Sequence, residues 1–208
     1  HKHGCMIIHL GMSGSLRIVD SEKPRDKHDH FEIQFSNGRS LRLRDPRRFG
    51  AVLWTSSPPG EHKLLASLGP EPLGDDFHAE YLFRQTRKRR CTIKSLVMDS
   101  HMVVGVGNIY ASEALFRAGI RPGRQASRLT RKTCAALVDE IKQVLADAIA
   151  VGGTTLRDFT DSDGNSGYFS LSLSVYGREG ELCAVCGATI RSRRIAQRAS
   201  FYCPNCQK

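Results

Sequence analysis

The sequence predicts a mixed α and β chain in three parts: a β-rich front, a helical middle and a small metal-bound tail. Three observations carry that reading. Apolar residues alternate with polar ones from Met6 to about Thr55, around an Asn-Gly turn signal. After about residue 80 the apolar spacing becomes helical. Near the end, two C-x2-C pairs bracket sixteen residues, four of them arginines and none acidic.

In the front part, Phe31, Ile33 and Phe35 alternate on one side of Ser36-Asn37-Gly38-Arg39, with Leu41 and Leu43 on the other. Asn-Gly tolerates the positive φ of a type I′ turn, so a hairpin is expected there. "GAVLWT" reads as a further strand, and Pro58, Pro59 and Gly60 mark a loop. "LGPEPLGDDF" is a second Pro/Gly-rich stretch, which places a domain boundary near residues 70–80. "NIYASEALFRAGIRP" reads as a short helix stopped by Gly119 and Pro122. Thr130 can cap a helix whose Leu137, Ile141, Val144, Leu145, Ala148 and Ile149 form one apolar stripe, ending at Gly152-Gly153. "SDGNSGYFSLSLSVYGREG" reads as a flexible loop leading to the tail. The chain opens on "HKHGCMII" without an initiator Met, and a start inside a domain is the expectation.

The charge is +10, from 31 Lys+Arg against 21 Asp+Glu. Such an excess favours a polyanionic partner, nucleic acid ahead of an anionic membrane, although a merely basic enzyme has the same balance. No apolar run approaches the ~20 residues needed to span a bilayer. Of seven cysteines, Cys5, Cys91 and Cys134 are scattered and four cluster at the tail, which fits a reducing cytosol with a metal site.

Cys183, Cys186, Cys203 and Cys206 have the spacing of a closed tetrahedral zinc site, with two disulfides the weaker alternative. The residues between alternate enough to form a two-stranded hairpin carrying Arg191, Arg193, Arg194 and Arg198. Phosphates would neutralise these four cations, although a solvated basic face has the same composition. In "MVVGVGNIYASEALF", Gly105 and Gly107 free the backbone where Asn108 starts a helix. That pattern suits a phosphate, or a plain interhelix turn. Upstream, Arg84, Arg87, Lys88, Arg89, Arg90 and Lys94 concentrate charge, either as a solvated helix face or as a phosphate track. In "RDPRRFG", Arg47 and Phe49 follow Pro46 in a rigid loop, a pairing that suits wedging into a base stack. Core packing is the plainer reading of Phe49, and of Met12 in "HLGMSGSL". His28 and His30 could meet phosphate or stand exposed. No nucleophile triad and no P-loop is visible.

Together, "HLGMSGSLRI", "KHDHFEIQFSNG", "DPRRFGAVLW", "LGPEPL", "VVGVGNIYASEALFRAGI", "GGTTLRDF", "SDGNSGYF", "VYGREGELC" and "AQRASFYCPNC" resemble, in order, the segments of bacterial formamidopyrimidine-DNA glycosylases. The resemblance covers essentially the whole chain. It implies an α+β multidomain fold: an N-terminal β-sandwich (residues 1–70), a helical domain with a helix–two-turn–helix and a damage-recognition loop (71–172), and a four-cysteine zinc finger (173–208). It implies base-excision repair of oxidised purines, 8-oxoguanine and formamidopyrimidines, by base flipping, with abasic-site lyase activity through β,δ-elimination. Met12, Arg47 and Phe49 resemble the residues that fill the gap left by the flipped nucleotide, which overrules the core reading of Phe49 and Met12. His28, Arg47, Arg89 and Asn108 resemble DNA contacts, and Lys94 is placed with them. Arg198 resembles the proton donor of δ-elimination. Ser162, Asp163, Gly164, Asn165, Ser166, Gly167 and Tyr168 resemble the loop that recognises the extruded base. The implied partner is double-stranded DNA with an oxidised purine or an abasic site. One structural Zn2+, a monomeric state, no membrane and a cytoplasmic place on the nucleoid complete the expectation.

The departure lies at the front. The family's Pro-Glu after the initiator Met, which supplies nucleophile and acid/base partner, has no counterpart in this sequence, nor has its early β-turn lysine. An incomplete sandwich and little glycosylase activity of the chain as written are the resulting expectations. The alternatives are an endonuclease VIII-type glycosylase for oxidised pyrimidines, which the Gly/Ser-rich loop and the Met-Arg-Phe set disfavour, and a non-catalytic DNA-binding fragment.

Overall fold

A computed structural model describes residues 4–11, 13–151 and 173–208. Residues up to 66 belong to one compact unit; residues 67–151 and 173–208 belong to a second.

In the first unit, β1 (Cys5–His9) pairs antiparallel with β5 (Ala51–Thr55). A three-stranded sheet runs β2 (Ser15–Asp20), β4 (Arg39–Arg44), β3 (Asp29–Gln34). Alternation sets the register: Leu43 faces Leu16 and Phe31 across the two ladders, and Leu41 faces Ile18 and Ile33. The same alternation turns Arg42 away from those residues. Its guanidinium is buried against Glu32 and donates to the carbonyls of Lys23 and Pro24, which ties down the segment leading to His28. A cavity of about 490 Å³ is lined from both sheets, by Phe31, Leu43, Ala51 and Val52 among others.

The β3–β4 hairpin forms where Asn37-Gly38 announced it, but not as a type I′ turn. Only Gly38 has positive φ, at 77°, and Phe35 N–H donates to Arg39 O across a three-residue loop. Asn37 keeps the ordinary backbone of a longer loop with glycine in the left-handed position.

The second unit contains four α-helices among its described residues: α1 (Ala79–Thr86), α2 (Ile93–Val97), α3 (Asn108–Arg117) and α4 (Arg131–Ala150). Thr130 caps α4 in a reciprocal pair with Thr133, whose hydroxyl accepts from Thr130 N–H. Leu137, Ile141, Val144, Leu145 and Ala148 are buried as the stripe requires. Ile149 is not; it is 66% exposed, next to the last residue of α4. Of the two readings of the basic run, the helix face is not what forms. α1 stops at Thr86, and Lys88 takes φ 59°, so Arg87 to Arg90 form a turn instead of a helix face. Like charges one turn apart disfavour helix continuation.

The tail forms β6 (Arg191–Ile195) and β7 (Arg198–Tyr202), an antiparallel hairpin. Its small core joins Val175, Cys183, Ile190 and Cys203 to Phe116 of α3. The hairpin is therefore packed against the helical part, not tethered to it.

Candidate nucleic-acid interface and metal centre

Four cysteines converge where two knuckles meet. The ligand atoms of Cys183, Cys186, Cys203 and Cys206 all lie within 4.8 Å of one another, with Cys186 to Cys203 at 3.4 Å and Cys183 to Cys206 at 3.9 Å. A tetrahedron of thiolates around zinc, with Zn–S of about 2.3 Å, places sulfurs roughly 3.8 Å apart, so the set fits one zinc and leaves no open position. The thiols also need a cation to ionise together. Hydrogen bonding to Cys186 first, then burial and the other two thiols, pushes Cys206 up to about 12. A bound dication reverses that preference.

Around the ligands, the backbone amide of Cys203 donates to Gln207 Oε1, and Gln207 Nε2 donates to Ile120 O, both at 2.8 Å. Gln207 is fully buried. The last residues pair with the end of α3 as well, through Lys208 N–H to Gly119 O and Arg121 N–H to Lys208 O. These bonds hold the metal knuckle to the helical part.

The hairpin turn is Ala196-Gln197, with φ of 46° and 61°. Two non-glycine residues in the left-handed region cost of order 1 kcal/mol each. Arg198 follows directly, exposed, at the rim of a cavity of about 150 Å³ lined with Lys94, Ser95, Met98, Ile195 and Ala196.

Lys94 does not join the exposed cations. It is 1% exposed, and its ammonium donates to Ala199 O and Ser200 Oγ on β7 at 3.1 and 2.8 Å. Burial first, then the Arg198 charge, pushes it down to about 8. Its placement among the DNA contacts is corrected on that ground: the side chain braces the strand behind Arg198 and has no surface left for a phosphate. Helical spacing in α2 turned this cation inward while Arg89, in the preceding turn, stays exposed.

Asn108 opens α3. Gly105 has φ 74°, Gly107 is the N-cap, no side chain caps the helix, and its first turn carries no acid. The first amides of α3 are therefore offered outward with the positive end of the helix dipole. The Asn108 side chain meets the Tyr176 hydroxyl at 3.3 Å, and its Oδ1 is buried without a partner. The Tyr176 ring packs edge-on to Phe201 of β7 at 5.0 Å. Behind it, the Glu113 carboxylate accepts three backbone N–H bonds: Ser174 at 2.8 Å, Val175 at 3.0 Å and Tyr176 at 2.9 Å. Sequence reading missed Glu113, Tyr176 and Gln207. An acid inside the apolar helix "NIYASEALF" was the available signal for Glu113.

In the first unit, Asp45 organises "DPRRFG". Its Oδ2 accepts from Gly50 N–H at 2.7 Å, its carbonyl accepts from Arg48 N–H, and its own N–H donates to His28 O. The loop so held presents Phe49 55% exposed, with the Arg47 guanidinium 4.9 Å from its ring centroid. Phe49 is thus not a core residue. His28 is half-buried, edge-on to His30. Met12 and the residues 162–168 lie outside the described residues.

Family models match this architecture in chain order. They are the formamidopyrimidine-DNA glycosylase N-terminal domain over residues 1–52, its H2TH domain over 68–160, and the zinc finger found in FPG and IleRS over 180–208. A formamidopyrimidine-DNA glycosylase of Thioalkalivibrio sulfidiphilus is 60% identical over 205 residues, 99% of this chain and 76% of that protein. The Escherichia coli protein of that name is 58% identical with the same coverage. Among solved structures, Lactococcus lactis Fpg in complex with DNA containing an abasic site aligns with TM-score 0.87 at 35% identity, over 98% of this chain and 74% of that one. MutM (Fpg) of Thermus thermophilus aligns with TM-score 0.86 at 38% identity, over 97% and 75%. On the zinc cluster, the helix–two-turn–helix elements and this identity along its whole length, the chain belongs to the formamidopyrimidine-DNA glycosylase family.

Proposed function

We propose that this protein takes part in base-excision repair, as a glycosylase for oxidised purines in duplex DNA that also cleaves the resulting abasic strand by β,δ-elimination. The observation that carries the reading is the placement of Arg198. An exposed guanidinium stands on a strained two-residue turn, braced from behind by buried Lys94 and fixed to the helical part by the zinc knuckle. Strain and buried support of that kind hold a charged group in one place, as proton delivery to a leaving phosphate requires.

The open first turn of α3 is the phosphate site that goes with it. Side-chain amide ends are interchangeable in such assignments. With them exchanged, the Tyr176 hydroxyl donates to Asn108 Oδ1, which removes the orphaned buried acceptor and frees the amide N–H2 for a phosphate oxygen. Arg47 and exposed Phe49 supply the stacking wedge that base flipping needs, and His28 and Arg89 are further backbone contacts. No helix among the described residues is long and apolar enough to cross a membrane.

The test uses the protein expressed from its complete coding sequence. Excision from an 8-oxoguanine duplex should exceed excision from a thymine glycol duplex. Arg198→Ala should leave abasic-strand cleavage at the β-elimination product, with δ-elimination slowed by about 100-fold or more. Preference for thymine glycol, or full δ-elimination without Arg198, would overturn the assignment.

A further inference from the structure

A second set of cations, distinct in sequence from Arg198 and Asn108, lies on residues 121–132 and the end of α1. The Arg87 guanidinium donates to Leu129 O and lies 4.1 Å from the Phe83 ring centroid; Arg131 lies over the same ring at 4.2 Å. Arg124 donates to Arg128 O, and Arg128 and Lys132 are exposed. The backbone of Arg124 accepts from Ile93 N–H, and Ala126 N–H donates to Cys91 O, so the strip is fixed to the turn that carries the basic run. At its other end the hairpin joins it. A Cβ on Gly123 would stand 2.8 Å from Arg193 Nη1, so the finger's guanidinium lies flat on the strip where a side chain is missing.

Among the described residues, the only carboxylate paired with any of these cations is Glu80, on Arg131. Two guanidinium groups fixed on one ring repel each other, and an anion bridging them would offset that repulsion beyond what Glu80 supplies to Arg131. The strip runs from the finger to the start of α4 and is fixed by hydrogen bonds to the backbone instead of resting on free side chains. A repeating anion fits it better than a single phosphate does.

We propose that this strip is a second phosphate track, which holds the arm of the duplex beyond the lesion; the proposal rests on the DNA reading above. It makes the footprint longer than base excision itself needs, and it acts through charge alone, without reading sequence.

The experiment measures binding of the full chain to duplexes with one abasic-site analogue and two lengths. One extends roughly 5 bp, half a helical turn, to either side of the site, and the other about one turn. The longer duplex is expected to bind on the order of tenfold more tightly, with a steeper fall of log K against log salt. Arg128→Glu/Lys132→Glu should abolish that advantage and lower the slope on the long duplex by about 2, at roughly 0.9 per lost contact. Binding of the short duplex should be unchanged, and Arg128→Gln/Lys132→Gln should give an intermediate effect on the long one. A length advantage that survives both variants overturns the track. Loss of short-duplex binding in the Glu variant alone overturns the track as a separate site, and failure of the wild-type protein to bind the short abasic duplex overturns the DNA reading itself.

Discussion

Cys203→Ser, or exposure to a zinc chelator, is expected to melt residues 173–208, to leave α1 to α4 folded, and to weaken binding to an abasic-site duplex by at least about 100-fold. The hairpin cannot stand without its ion. Its core is five buried side chains, two of them ligands and one borrowed from α3. Structural zinc in such modules contributes about 10–16 kcal/mol at neutral pH, far more than that core can supply. The helical part has its own core, with Phe77, Leu82, Leu115, Leu137 and Ile141 fully buried. Loss of the finger removes Arg198, frees Lys94 from β7 and releases Gln207 from Ile120. Zinc stoichiometry, a thermal melt and a binding titration on the same sample check this. A variant that loses its zinc but keeps one cooperative melt and full affinity would contradict it.

Glu113→Gln is expected to lower stability by about 2–3 kcal/mol, and Glu113→Ala by more, because each leaves buried backbone donors without an acceptor. The carboxylate is 1% exposed and is satisfied by three backbone amides. Glutamine keeps the volume but turns an N–H2 toward one of those amides, so the difference reads charge and polarity instead of packing. A drop in Tm of the order of 10 °C follows for a chain of this size. Affinity for an abasic duplex should also fall, by about tenfold, since Tyr176 and with it the Asn108 amide lose their support. A Glu113→Gln protein with unchanged Tm and affinity would show that the three amides find other partners.

Local chemistry was legible in the sequence where it acts over a few residues. The zinc ligands are fixed by the reach of a C-x2-C turn, and the Thr130 cap by a bond to the third residue on. Helices α3 and α4 and the finger hairpin followed from periodicity and turn residues, whereas the short α1 and α2 carried no such signal. What the sequence did not carry was depth. Lys94 and Arg89 belong to one basic run, yet one is buried under β7 and the other is exposed, because partners 105 and 106 residues away decide it. Glu113 binds amides 61 to 63 residues downstream, a distance at which no periodic pattern speaks. Core packing was the plainer reading of Phe49 from its own residues, and only the resemblance turned it outward; the Asp45-closed loop is what keeps it exposed. The turn at Ala196-Gln197 lacks the glycine or asparagine that would have announced it, so the strain that places Arg198 was invisible.

The most direct test of a zinc-braced surface that grips damaged DNA is a salt titration of binding to two matched duplexes, one intact and one with an abasic-site analogue. The expected result is at least tenfold tighter binding of the damaged duplex, with a slope of log K against log salt near −4 or steeper, equivalent to about five neutralised phosphates. Equal affinity for the two duplexes, or binding that ignores salt, would contradict it.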